Sequence, residues 1–137
     1  MNQSLQAILG RPPRILIVDD DEDLLLVMNL TLKSEGFDVQ VSFNGDGFFE
    51  ILQQHRPDVI LMDITMEGVE GGTLCRHVKM NEDTRAIVLF MFSANRNVEQ
   101  ITRECGADGY VSKPFEMADL RQKISDSLGA KVNGAQF

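Results

Sequence analysis

Ile15-Leu16-Ile17-Val18 runs straight into Asp19-Asp20-Asp21, and Val59-Ile60-Leu61-Met62 runs straight into Asp63. Each apolar run is too short for a buried helix. Each is also too uniformly apolar for a strand with one wet face, so both read as strands covered on two sides, the habit of parallel sheets. Two more runs share the character: Ile87-Val88-Leu89-Phe90-Met91-Phe92, followed by Ser93-Ala94, and the short Tyr110-Val111, followed by Ser112-Lys113-Pro114. A fifth, Phe37-Asp38-Val39-Gln40-Val41, alternates polar with apolar and reads as an edge strand.

Helical patterns fill the gaps, at residues 22–34, 46–54, 72–80, 96–105 and 116–128. The first carries Leu24, Leu25, Met28 and Leu32 on one stripe and stops at Gly36; the last carries Leu120, Ile124 and Leu128 at i, i+4, i+8. Five strand–helix units in strict alternation predict an α/β fold, because parallel crossovers are right-handed and each needs a helix. The expected form is a flavodoxin-like, doubly wound, five-stranded parallel sheet of order 2-1-3-4-5 with five helices. Its ligand crevice lies beyond the carboxyl ends of strands 1 and 3.

The chain has 137 residues, enough for one domain with a core that needs no staple. Arg11-Pro12-Pro13 closes a loose leader over residues 1–13, the domain occupies 14–128, and the small polar stretch 129–137 reads as a flexible tail. The 21 acidic residues outnumber 13 basic ones, for a net charge of −8. That balance argues against direct nucleic-acid contact and against docking on anionic lipid. Cys75 and Cys105 form no framework or C-x-x-C pair and read as reduced, buried side chains. With no secretory signal and no long apolar span, the expectation is a soluble, cytoplasmic protein without membrane contact.

In a parallel sheet the four strand ends share one edge. Asp19, Asp20, Asp63, Ser93 and Lys113 therefore converge, although they lie far apart in sequence. Three mutually repelling carboxylates call for a cation, and Mg²⁺ takes a few carboxylates together with water and phosphate oxygens. Metal and Lys113 supply about +3 against about −3 from the aspartates. Such a pocket can receive a phosphoryl group, with Asp63 as nucleophile and Ser93 donating a hydrogen bond. Taken singly, Asp20, Asp63 and Ser93 would each read as a helix cap, and Asp21 and Glu22 do read as helix N-terminal charges.

With these residues in place, the sequence resembles a response-regulator receiver domain of two-component signalling. The resemblance covers about residues 14–128. It rests on residues 15–20, on Asp58 to Asp63 with Gly71 eight further on, on Ser93-Ala94, and on Gly106 to Phe115. It implies that Asp63 is phosphorylated by a histidine kinase or histidine phosphotransfer protein. It further implies that Asp20, Asp63 and the backbone carbonyl of Thr65 bind Mg²⁺ directly and Asp19 through water. Ser93, Ala94 and Lys113 would contact the phosphoryl group, and Tyr110 would be an aromatic switch. Pro114 is the cis-peptide candidate. Phosphorylation would change the face of the fourth helix, fifth strand and fifth helix for an unnamed downstream protein. Catalysis would be confined to the chain's own phosphorylation and dephosphorylation.

Two departures from the family pattern stand out. Glu67 occupies a position where proline is usual, which predicts a looser and more acidic loop. The spacing from Ser93 to Lys113 is two residues short, placed in the loop before the fourth helix. Two other readings accompany this one. One is a Mg²⁺-dependent aspartyl-phosphate phosphatase or phosphotransferase, for which Thr65 lacks the acid expected two residues after the nucleophile. The other is a receiver fragment of a larger regulator with an output domain, against which a stand-alone regulator is favoured. His55 and His77 read as surface helix residues.

Overall fold

The computed structural model describes residues 9–134, with side chains to 130. Strand β1, Arg14–Asp19, is the hub: β2, Asp38–Phe43, pairs on one side of it and β3, Val59–Met62, on the other. Beyond β3 lie β4, Val88–Ser93, and β5, Gly109–Ser112. All pairings are parallel, giving the expected order 2-1-3-4-5. Five helices are described: α1, Glu22–Ser34; α2, Phe48–His55; α3, Gly71–Met80; α4, Val98–Cys105; and α5, Met117–Gly134.

The two-residue period of a strand sorts the apolar runs into two cores. Ile15, Ile17, Leu61, Phe90 and Phe92 face α1 and α5 and meet Leu25, Met28, Leu32, Leu120, Ile124 and Leu128. Leu16, Val18, Ile60, Met62 and Met91 face the other way, onto Phe48, Leu52, Cys75, Val78 and Val98 of α2, α3 and α4. Every residue of β3 is buried, which is why its sequence shows no alternation. Edge strand β2 keeps its wet positions, Asp38 and Gln40 among them. Helix ends follow local chemistry. Asp21 caps α1 by accepting a hydrogen bond from the Leu24 N–H at 3.1 Å, and α4 stops at Gly106, whose φ of 82° suits glycine.

Three differences from the sequence reading have physical causes. Helix α5 continues to Gly134, over residues assigned to the tail; residues 135–137 lie outside the described residues. The leader's end is tied down: the Arg11 guanidinium forms a fork with Asp58, at 2.8 and 3.0 Å, and the same carboxylate accepts from the Arg14 N–H at 2.8 Å. Residues 1–8 of the leader lie outside the described residues. The loop after Asp63, expected to be loose, pairs Thr65 with Glu70 and Met66 with Val69 as an antiparallel ribbon that turns at Glu67-Gly68. Gly68 takes a φ of 75° there. No described helix is long and apolar enough to cross a membrane.

Candidate functional site

Asp19 ends β1 and is fully buried; Asp63 follows β3 and is 5% exposed; Asp20 is exposed. Oxygens of the three carboxylates lie within 4.8 Å of one another. Parallel pairing of β1 and β3 in register, Val18 beside Met62, creates this proximity between residues 44 positions apart. The cap readings do not apply to them: α1 is capped by Asp21, α3 begins only at Gly71, and Asn97 rather than Ser93 precedes α4.

The backbone around Asp63 is held tightly. Its N–H donates to the Val18 carbonyl at 2.9 Å, and its Oδ1 accepts from the Ile64 N–H at 2.9 Å. The Gly71 N–H donates to the Ile64 carbonyl at 2.6 Å. A Cβ on Gly71 would fall 1.8 Å from the Asp63 carbonyl oxygen, so only glycine lets α3 start this close to the loop.

Lys113 enters from the end of β5. Its ammonium donates to Asp19 Oδ2 at 2.7 Å and stands 3.8 Å from Asp63 Oδ1. Its backbone N–H donates to the Ser93 carbonyl at 3.0 Å, and the Lys113–Pro114 peptide is cis. Asp19 is the carboxylate that grips the lysine, and it also accepts from the Asp21 N–H at 2.9 Å. Ser93 Oγ is buried and accepts from the Asn95 N–H at 3.0 Å, which leaves the hydroxyl proton available to donate. Ala94 is exposed beside it. Tyr110 is half-buried against the α2–α3–α4 core, and Thr65 is exposed at the start of the ribbon.

Burial and the neighbouring Asp19 push the Asp63 carboxyl up to about 6, against the pull of Lys113 and the Ile64 N–H, with Asp20 adding to the rise. The lysine offsets only part of the negative charge. The donor set suits a hard cation: carboxylate oxygens only, one of them exposed, with no thiol or imidazole. Asp19, Asp20 and Asp63 are the residues that would hold such an ion, which would offset their mutual repulsion. Sequence reasoning missed the Arg11–Asp58 fork and the aromatic face beneath Lys113, whose Nζ lies 4.6 Å from the Phe92 ring centroid. Neither has a motif, since each joins residues with no periodic relation.

Comparison with known proteins agrees with this geometry. The family model "Response regulator receiver domain" matches residues 15–125. The phosphate regulon transcriptional regulatory protein PhoB of Rhizobium meliloti is 32% identical over 118 residues, covering 85% of this chain and 52% of the relative. The chain thus spans about half the length of that curated relative. A CheY-like response regulator receiver domain protein from Methanospirillum hungatei superposes with a TM-score of 0.81 at 26% identity, covering 90% of this chain and 98% of the other. The receiver domain of a sensor histidine kinase from Pseudomonas aeruginosa, solved with a magnesium ion coordinated in its active-site cleft, gives 0.78 at 25% identity over 86% and 98%.

Proposed function

The chain belongs to the response regulator receiver domain family of two-component signal transduction, and from that premise we propose that it is a switch thrown by phosphorylation of Asp63. The observation that carries the reading is the meeting of Asp19, Asp20, Asp63 and Lys113 at one sheet edge. The donor is a phosphohistidine on a histidine kinase or phosphotransfer protein. An Asp63 carboxylate oxygen attacks phosphorus, the P–O bond forms, and the P–N bond breaks, returning the electron pair to the imidazole. Asp19, Asp20, Asp63 and the Thr65 carbonyl would hold Mg²⁺, which when bound screens the carboxylates from one another and neutralises charge on phosphoryl oxygens.

Lys113 already points at Asp63 and exchanges its bond to Asp19 for a phosphoryl oxygen. Ser93 donates its free proton to another. Because β5 begins beside β4, a shift of Ser93 and Ala94 reaches Tyr110, and the face of α4, β5 and α5 changes its affinity for a downstream protein. Moving that equilibrium from 1:99 to 99:1 requires about 5.5 kcal/mol of preference. A phosphomonoesterase reading has no support at position 65, where threonine offers no acid. An output domain elsewhere in a longer protein is compatible with the relative, of which the match covers 52%.

Incubation with acetyl phosphate and Mg²⁺ tests the proposal. Intact-mass spectra are expected to show one added phosphoryl group on the native chain and none on Asp63→Ala. Equal labelling of the two would sink it.

A further inference from the structure

Besides its bonds to the aspartates, Lys113 makes a contact that phosphoryl transfer leaves unused. Nζ stands 4.6 Å from the centroid of the Phe92 ring, which is fully buried in the α1–α5 core. Phe115, two residues after Lys113, packs edge-on against that ring at 6.2 Å and 70°. The strand register builds the arrangement: Ser93 pairs with Ser112, and the Lys113 N–H bonds the Ser93 carbonyl, so Lys113 is seated over the residue preceding Ser93. The ammonium therefore has as neighbours both the point charges of Asp19 and Asp63 and the diffuse negative face of an aromatic ring.

We propose that Phe92 is a positioning residue for phosphoryl transfer, its ring face retaining the Lys113 ammonium in the cleft while that ammonium changes partner from Asp19 to a phosphoryl oxygen. The inference rests on the reading of Asp63 as phosphoacceptor. The carboxylate bond at 2.7 Å is short and directional, and it must be released or shared when the phosphoryl group arrives. A ring attracts a cation placed over its face within about 6 Å of the centroid, and asks for no single donor–acceptor line. Nζ can thus move an ångström or so between oxygens without losing that attraction. Water cannot take over the role, because Phe92 is sealed from solvent. A leucine would fill much of the volume and supply no attraction.

The test has two arms on the full chain. In the Mg²⁺-free, unphosphorylated protein, ring current is expected to shift the Lys113 Cε protons upfield in the NMR spectrum, and Phe92→Leu to abolish the shift. With phosphoramidate and Mg²⁺, Phe92→Leu is expected to slow phosphorylation of Asp63 by about 2- to 30-fold, the range a cation–π contact supports. Phenylalanines carrying one, two and three ring fluorines at position 92 keep the shape but drain the ring face. Their rates are expected to fall step by step. A flat fluorine series in a chain that labels normally would overturn the proposal, as would an unshifted Lys113. An unlabelled wild type with the Lys113 shift intact would instead overturn the phosphoacceptor reading and the positioning role with it.

Discussion

Asp63 carries opposing demands. Burial and Asp19 raise its pKa from the ordinary 3.8 to about 6, so between those values the native chain binds more protons than the unfolded one. Stability from this group is full below pH 3.8 and is lost as pH rises through 6. In metal-free buffer, thermal midpoints are expected to fall from pH 4.5 to 7 beyond the drift of an Asp63→Asn control. That variant is expected to be about 1–2 kcal/mol more stable than the native chain at pH 7.5, the shift being discounted for partial solvation. Gly71 is the other residue under strict constraint. Gly71→Ala sets a Cβ against backbone, and a cost of about 2–4 kcal/mol in urea unfolding is expected. The aspartates and Lys113 were legible as strand-end residues. The grip of Lys113 on Asp19 was not, because choosing between two carboxylates takes distances that no spacing contains.

At the scale of elements, α1 shows a second apolar stripe that the core does not use. Leu26, Val27 and Leu30 are each more than half exposed, on the helix that starts two residues after Asp20. Under the proposed function a phosphodonor protein brings its histidine to Asp63, and this stripe would give it apolar surface on the helix that follows Asp20. Leu26→Asp combined with Leu30→Asp is expected to slow phosphotransfer from a protein donor at least tenfold, about 1.4 kcal/mol or more of lost docking, while labelling by acetyl phosphate stays unchanged. Equal slowing with both donors would place the defect in the site itself. Two element features escaped the sequence. The ribbon after Asp63 has two-residue strands, too short for any periodicity to register. Helix α5 outruns its last core leucine, since propagation adds a hydrogen bond per residue without requiring an apolar face.

Across the whole molecule, the two cores clamp a sheet whose edge gathers like charges. Leu61, in the middle of β3 and fully buried, is expected to cost about 2–5 kcal/mol on change to Ala, measured as a lower urea midpoint at unchanged slope. Mg²⁺ at 100 times its dissociation constant is expected to add about 2.7 kcal/mol above pH 6. Because the ligand carboxylate must be ionised, that gain is expected to fade as pH drops below 6, which calorimetry with and without the ion would read directly.

Sheet order, the two-sided burial of β1, β3 and β4, and the meeting of Asp19, Asp20, Asp63 and Lys113 at one sheet edge were determined by the sequence alone. Strand period, crossover handedness and the common edge of a parallel sheet leave few other outcomes. Tertiary structure decided which carboxylate holds the lysine, which ring lies behind it, where α5 ends and how Arg11 fastens the leader. Those depend on side-chain contacts between residues remote in the chain, whose geometry is settled by packing rather than by any local pattern.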